Sequence, residues 1–171
     1  MSAPERLEVG SPDYARIVAW LYDEAYHLDR GEFGQWIELM AEDLDYHMPV
    51  RQALLRSGGA GYEEEVGFFV ENHSSLKTRV GRLATEQAWA DQPMSRTRHL
   101  VTNVIAHRAE GGFAVTSAFL VTRLRSDLPY DLFTGERHDV LRETPKGLRL
   151  ARRKILLDHT ILKSNNLSMF F

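Results

Sequence analysis

The sequence contains no cysteine at any of its 171 positions. This absence excludes disulfide bonds, thiolate zinc sites and thiol nucleophiles, and it excludes an iron–sulfur cluster held wholly by this chain. The chain also lacks an excess of positive charge, because 21 Lys and Arg stand against 24 Asp and Glu and give a net charge of −3. We therefore do not expect a nucleic-acid partner bound by bulk electrostatics.

Long apolar runs and a targeting start are also missing. No run approaches the ~20 apolar residues that a membrane-spanning helix needs, so no membrane partner is predicted. The first ten residues contain Pro4, Glu5, Arg6 and Glu8, without an apolar segment behind a basic start. We expect a cytoplasmic protein; the alternative is a secreted one whose signal has been removed. The length predicts a single domain over residues 1–171.

Helix signals dominate the first half of the chain. Ser11, Pro12 and Asp13 provide a hydroxyl N-cap, a proline at the first helical position and an acid in the first turn. Apolar residues then recur at spacings of three and four until Gly31, which can adopt the left-handed conformation that ends a helix. A short second helix is predicted to bury four residues: Phe33, Trp36, Ile37 and Met40.

Three further elements are predicted before the middle of the chain. Apolar and polar residues alternate over residues 44–50, which predicts a half-buried strand that ends at an edge or bulge near Pro49. Residues 63–70 fit either a strand or a helix. Ser74 or Ser75 could cap a third helix.

The second half contains four long β-type runs. They cover residues 97–107, 113–125, 130–142 and 148–160, and they are joined by short segments rich in Gly, Pro, Ser and Asp. Short connections between long strands indicate an antiparallel meander. Helices followed by a meander predict an α+β fold, with the helices on one face of a strongly curved sheet. The interior of such a cone is either an active-site pocket or a core.

Two candidate metal sites can be judged by spacing. His99 and His107 lie on one strand face, but eight residues at ~3.3 Å each separate them by about 26 Å. Asp45 and His47 are two residues apart and could form part of a site. No ready third ligand is present, and the alternative is a polar strand face.

A metal-free acid–base site is a second possibility. Cone folds can bury an Asp, a His and one or two Tyr for proton abstraction or dehydration. The alternative is that the tyrosines are packing residues with their hydroxyls hydrogen-bonded. The candidate members are Tyr22, Asp23, Tyr26, His27, Tyr46 and His99.

The basic run in the last predicted strand must divide between two faces. Arg152 and Lys154 share one face, and Arg153 points to the opposite one. An inward arginine needs a carboxylate or carbonyl partner, because an unpaired buried charge is costly. The candidate acids nearby are Glu136, Asp139 and Asp158.

The sequence ends on an apolar segment with Leu167, Met169, Phe170 and Phe171. Burial of two phenylalanine side chains is worth several kcal/mol, roughly 1.5–3 for each side chain. We therefore expect the end to dock, either on its own domain or on another chain, and a place at an interface is favoured.

Four segments in order along the chain carry a family pattern. They are residues 29–33 with Trp36; residues 46–51; residues 88–104; and residues 153–158 with residues 166–171. The block Ser95-Arg96-Thr97-Arg98-His99 and the Asn-Leu-Ser-Met-Phe-Phe end are the most specific. Together they resemble the small (β) subunit of the terminal oxygenase of aromatic-ring-hydroxylating Rieske dioxygenases.

The resemblance implies a cystatin-like, nuclear transport factor two-like cone and a structural subunit without catalytic residues or metal. It implies an α partner that carries the Rieske [2Fe–2S] cluster and the mononuclear Fe(II), in an α3β3 hexamer with a β3 trimer. Ferredoxin and reductase would act through α, for cis-dihydroxylation of an aromatic compound in its catabolism. The candidate subunit-interface residues are Arg96, Arg98, His99, Arg153, Asn166, Phe170 and Phe171. The alternative is a stand-alone isomerase or dehydratase of the same fold.

Overall fold

The computed structural model describes residues 4–51, 61–83, 95–124, 129–159 and 169–171. These residues form three helices and six strands in the order α1, α2, β1, β2, α3 and β3 to β6. The helices are α1 (Pro12–Arg30), α2 (Phe33–Ile37) and α3 (His73–Leu83). The strands are β1 (Met40–Arg51), β2 (Tyr62–Asn72), β3 (Arg96–Ala109), β4 (Gly112–Leu124), β5 (Asp131–Thr144) and β6 (Gly147–Leu157).

The six strands form one mixed sheet in the order β2-β1-β6-β5-β4-β3. Strands β3 to β6 are antiparallel neighbours, which confirms the predicted meander. Strand β1 pairs parallel with β6 and antiparallel with β2, so the N-terminal strands extend the sheet beyond the meander. The helix-and-meander arrangement confirms the α+β prediction.

Helix α1 begins and ends at the residues that the sequence predicts. The Ser11 hydroxyl accepts a hydrogen bond from the Tyr14 N–H at 3.4 Å, and Pro12 occupies the first turn. Gly31 has φ 69°, and its N–H donates to the Leu28 carbonyl at 3.1 Å. A left-handed residue closes a helix in this way at low steric cost only when it lacks Cβ.

In the following segments the structure resolves one open alternative and corrects two predictions. Residues 63–70, which fit either element, lie in strand β2, and Met40 starts β1 instead of ending α2. The cap of α3 is Asn72: its Oδ1 accepts from the Ser75 N–H at 3.0 Å, while the Ser75 hydroxyl accepts from the Asn72 N–H at 2.9 Å. This reciprocal pair is a capping box, with Ser75 in its third helical position.

The pattern of β1 agrees with the prediction for its end. Its pairing with β2 changes register on both sides of Pro49, as expected where a proline cannot donate to the ladder. Burial alternates along β4 and β5, and the buried side of the sheet faces the helices. We call this side the inner face. No helix in the part of the chain described here is long and apolar enough to cross a membrane.

Candidate functional site: the interior of the cone

The inner face carries a row of polar residues where a core would be expected to be apolar. Tyr46 on β1 is in register with Arg153 on β6, and Arg153 is in register with Asp139 on β5. All three side chains are at least 98% buried. They point inward because residues that alternate with exposed positions share one face of a strand.

Arg153 is the centre of this row and uses all of its N–H donors. Its Nε and Nη2 donate to the two oxygens of Asp139, both at 2.8 Å. Its Nη1 and Nη2 donate to the two oxygens of Glu24 at 2.6 and 2.9 Å. Its second Nη1 bond reaches the main-chain oxygen of Phe171 at 2.8 Å. Of the three candidate acids that the sequence offered, Asp139 is the partner of Arg153, and Glu136 and Asp158 are not.

Glu24 brings helix α1 into the same network. Burial alone would raise the pKa of Glu24, but the charges of Arg153 and Arg137, with hydrogen bonds from Arg153 and Trp36, hold that pKa below its ordinary value. Conversely, Asp139 and Glu24 outweigh the effect of burial and raise the pKa of Arg153 well above its ordinary value. The network is therefore a set of ionised groups held inside the protein.

Residues 169–171, which we call the tail, occupy the interior of the cone. The Phe171 ring lies in an aromatic box, with centroid distances of 5.7, 5.6 and 6.4 Å to Phe119, Phe133 and Phe69. The Phe170 ring lies 4.4 Å from that of Trp36. Both tail phenylalanines are at most 2% exposed. The tail thus fills space that would otherwise be a pocket.

The main chain of Phe171 is held by hydrogen bonds, in addition to the packing of its side chain. The Tyr46 hydroxyl donates to the Phe171 oxygen at 2.7 Å and lies 3.0 Å from the Phe171 N–H, which donates to it. Burial raises the pKa of Tyr46 to about 12, which keeps this hydroxyl a donor. Tyr46 therefore satisfies two main-chain groups that the interior hides from water.

His99 ties the tail to helix α1 from the other side. Its Nδ1 lies 2.6 Å from Oδ1 of Asp29, and its Nε2 lies 3.0 Å from the carbonyl oxygen of Phe170. The imidazole therefore bridges the Asp29 carboxylate and the main chain of the tail. The contacts link three of the four family segments.

Six of the seven predicted interface residues are among the described residues, and they fall into an exposed and a buried group. Arg96 is exposed, and Arg98 keeps 72% of its side chain exposed while one Nη1 lies 3.5 Å from Asp29. Asn166 lies outside the described residues. The other four are buried within this chain: His99, Arg153, Phe170 and Phe171.

This placement limits how the four buried residues could act at an interface, and their interface role stays a prediction. A side chain with almost no exposed surface in the single chain cannot touch a partner directly. These residues would affect an interface only through the elements that they hold in place. The tail docks on its own domain, which is one of the two alternatives, and its place at or beside an interface stays a prediction.

The six candidate acid–base residues do not form one group. Tyr22 and Tyr26 are more than half exposed, and His27 bonds Glu32 at 2.8 Å. Tyr22 and His99 do line an open groove of about 690 Å³ at one end of α1 and the sheet. Both ring nitrogens of His99 are already bonded, however, so His99 offers no free base to that groove. Asp23 is exposed, and Tyr46 bonds the tail.

The candidate metal residues belong to the outer, solvent-facing side of the sheet. Asp45 pairs with Arg152 at 3.4 Å, and both side chains are largely exposed. His47 is in register with Lys154. Within the described ranges, no group of three or more His, Asp or Glu residues could hold a metal ion. Asp45 and His47 form the polar strand face that was the alternative to a site.

Glu24 and Arg137 are members of the interior network that sequence reasoning missed. A signal was available for each of them. Glu24 falls on the apolar stripe of α1 together with Leu21 and Leu28, where a carboxylate needs a buried partner. Arg137 occupies an inward position on β5, two residues before Asp139.

Comparison with known proteins shows which family the chain belongs to. The family model described as "Ring hydroxylating beta subunit" matches residues 23–164. The biphenyl 2,3-dioxygenase subunit beta of Rhodococcus jostii (strain RHA1) is 38% identical over 162 residues, covering 91% of this chain and 87% of the relative. The benzene 1,2-dioxygenase subunit beta of Pseudomonas putida is 38% identical over 157 residues, covering 88% and 84%.

Two solved structures confirm the predicted cystatin-like fold. A naphthalene 1,2-dioxygenase with indole bound in the active site matches with a TM-score of 0.82 at 22% identity, covering 96% of this chain and 88% of that chain. An NTF2-like protein with a cystatin-like fold from Novosphingobium aromaticivorans matches with a TM-score of 0.60 at 17% identity, covering 85% and 82%. Together with the sequence relatives, the geometry leads to one conclusion: the chain belongs to the family of ring-hydroxylating dioxygenase β subunits.

Proposed function

We propose that this chain is the structural, non-catalytic β subunit of a multicomponent aromatic-ring dioxygenase. One observation carries the structural role: the interior of the cone is filled by the tail and by a buried ion network centred on Arg153. A cone enzyme needs that interior for its substrate. The chain takes part in an oxidoreductase as a subunit, and its work is to hold a catalytic partner in place.

We place the redox chemistry on the α partner. A Rieske cluster needs two Cys and two His ligands on one chain, and this sequence can supply only the His. The proposed α subunit carries the Rieske [2Fe–2S] cluster and a mononuclear Fe(II), and it receives electrons from a ferredoxin and a reductase. It uses them for cis-dihydroxylation of an aromatic compound. We propose a cytoplasmic α3β3 assembly with a β3 trimer.

Arg96 and Arg98 are the best contact candidates that the described surface offers. Both lie on the outer side of β3, next to Leu100, which is 51% exposed. Arginine beside exposed apolar surface is typical of interface centres, because its planar guanidinium bonds carboxylates with two parallel hydrogen bonds. Asn166 remains a proposed contact of the same interface. His99, Arg153 and the tail support this surface from inside.

The test is co-expression of the chain with its α subunit, followed by size-exclusion chromatography with light scattering. We expect a complex whose mass corresponds to three α and three β chains. The double variant Arg96→Glu, Arg98→Glu should lose or weaken the complex while its thermal unfolding stays close to that of the parent. Lys146→Glu is the control, because Lys146 is exposed in the β5–β6 turn and its replacement reverses one positive charge, half of the charge change in the double variant.

Two results would contradict the proposal. The first is a β chain that stays monomeric in the presence of α and turns over a substrate by itself, which would favour the isomerase or dehydratase alternative. The second is a complex that resists the double charge reversal, which would move the interface away from Arg96 and Arg98 while leaving the family role intact.

A further inference from the structure

The Arg137 guanidinium is the incomplete member of the interior network. Its side chain is 98% buried, like that of Arg153. Among the described residues Arg153 makes five donor bonds, whereas Arg137 makes one, from Nη1 to Glu24 at 3.2 Å. Its Nε and Nη2 have no hydrogen-bond partner among the described residues. Unpaired donors at this depth are rare and call for a partner.

A second buried group without a partner lies directly opposite. Ser117 on β4 is in register with Arg137 on β5, and its side chain is fully buried. Residues opposite each other in an antiparallel pair have Cβ atoms roughly 4.5–5.5 Å apart. The Ser117 hydroxyl, too, has no hydrogen-bond partner within the described ranges. The unpaired Nε and Nη2 of Arg137 and the unpaired Oγ of Ser117 therefore belong to directly opposite positions of the inner face.

The free atoms define the chemistry of the missing partner. The Nε and Nη2 of an arginine donate side by side and never accept, and a serine hydroxyl can add a third donor. A partner held by all of them must accept hydrogen bonds. It must also be small, because it lies beneath a packed core.

The charges around the site favour a negative partner. Burial and the neighbouring charge of Arg153 together lower the pKa of Arg137, against the opposing effects of Glu24 and Asp139. Both carboxylates accept their shortest hydrogen bonds from Arg153. Asp139 accepts two of them, and Glu24 accepts two at 2.6 and 2.9 Å. The positive charge of Arg137 is thus the less compensated of the two.

We propose that Arg137 and Ser117 bind one small monovalent anion of about chloride size inside the cone. The Nε–Nη2 edge of Arg137 and the hydroxyl of Ser117 are its donors. The anion completes the hydrogen bonding of the inner face and is enclosed when the chain folds. It has a structural role, and the site is independent of the proposed interface.

The first test is crystallographic. The protein is unfolded and refolded in sodium bromide, because a buried site exchanges only when the chain opens, and is then crystallised. Bromide is located by its anomalous scattering. We expect one buried anomalous peak within bonding distance of Nε and Nη2 of Arg137 and Oγ of Ser117. An ordered water there, or a protein oxygen bonded to the free edge of Arg137, would overturn the proposal.

The second test is thermal unfolding in sodium chloride or bromide against sodium gluconate at equal ionic strength. Gluconate is too large for the site, so halide should raise the Tm, as expected for a ligand that binds only the folded state. Ser117→Ala removes one donor and should weaken the apparent halide affinity about tenfold, the effect of one lost hydrogen bond to a charged group. Thr116→Ala, the neighbouring position on the outer side, is the matched control and should leave the halide effect unchanged.

Three outcomes of this second test count against the site. Equal Tm values in halide and gluconate would show that the anion adds no stability. An unchanged halide effect in Ser117→Ala would place the binding elsewhere. A bromide peak in the crystal without any solution effect would identify an adventitious ion only.

Discussion

Arg152 and Arg153 are neighbours in the chain and opposites in environment. Arg152 faces solvent and pairs with Asp45 at 3.4 Å, whereas Arg153 is fully buried among two carboxylates and the tail. The alternation of side chains along a strand is sufficient to separate them. Because a buried ion pair leaves an uncompensated charge when one partner is removed, the two arginines should contribute very differently to stability.

Arg153→Met should therefore destabilise the isolated subunit by about 3–5 kcal/mol, since it leaves Glu24 and Asp139 buried without their common partner. Arg152→Met should change the free energy of unfolding by less than about 1 kcal/mol, as is usual for an exposed pair. Urea denaturation followed by circular dichroism measures both. Similar losses for the two variants would contradict the buried network as the source of the difference.

Glu24 gives the subunit a predictable response to acid. Its pKa in the folded state lies below the ordinary value of 4.5, so the unfolded chain takes up its proton first as the pH falls. The stabilisation that Glu24 provides is present above pH 4.5 and is lost as the pH falls through the folded-state pKa. We expect the free energy of unfolding of the parent to decrease over this range.

The matched variant Glu24→Gln cannot lose a charge in acid. It should be less stable than the parent at neutral pH, and the difference in free energy of unfolding between the two should shrink as the pH falls below 4.5. Urea denaturation at a series of pH values measures this difference. A difference that stays constant across the acid range would mean that Glu24 does not carry the acid response.

At the scale of elements, the start of α3 depends on the reciprocal hydrogen bonds between Asn72 and Ser75. Asn72 ends β2 and caps α3 at the same time, with Ser75 returning the bond. The sequence contains two serines at this boundary, and either satisfies the general preference for a cap. The register of β2 against β1 decides where the strand stops, and so which residue stands before the first helical turn.

Asn72→Ala should destabilise the subunit by about 1 kcal/mol, within the usual range for loss of a cap. Ser75→Ala removes the other half of the capping box and should lower the stability in the same direction. Ser74→Ala, between them and exposed, should stay within about 0.5 kcal/mol of the parent. Thermal or urea unfolding distinguishes the three. A larger loss for Ser74→Ala than for Asn72→Ala would assign the cap to Ser74.

At the scale of the whole molecule, the tail closes the cone. All six strands contribute side chains to its surroundings, including Phe69 of β2 and His99 of β3, and helix α2 contributes Trp36. No single helix or strand encloses the tail by itself. Only the complete fold surrounds Phe171 with three aromatic rings and two main-chain bonds from Tyr46.

Phe171→Ala should destabilise the isolated β subunit by about 3–5 kcal/mol, because it opens a cavity in a packed aromatic box. Phe171→Leu fills part of that space and should lose less. Val70→Ala is the control, since Val70 is 72% exposed, and should lie within about 0.5 kcal/mol of the parent. Urea denaturation of the β chain without α is the measurement. Normal stability of Phe171→Ala alone, combined with failure to bind α, would return the tail to an interface role.

The sequence by itself determined the local structure and much of the fold. It predicted the ends of α1, the four meander strands and their antiparallel order, and the opposite faces of Arg152 and Arg153. These features follow from the spacing of apolar residues, from turn residues and from the period of a strand, all of which act over a few residues. The resemblance to a known family predicted the cystatin-like fold and the membership among ring-hydroxylating dioxygenase β subunits.

The tertiary structure alone decided what the conspicuous residues do. The parallel pairing of β1 with β6 places Tyr46 beside Arg153, and the packing of α1 brings Glu24 to both arginines. These contacts join residues more than one hundred positions apart, a distance over which local patterns carry no information. The absence of cysteine was evident from the sequence and excludes an iron–sulfur cluster held wholly by this chain. The filling of the cone became visible only when the last residues of the sequence were seen inside it.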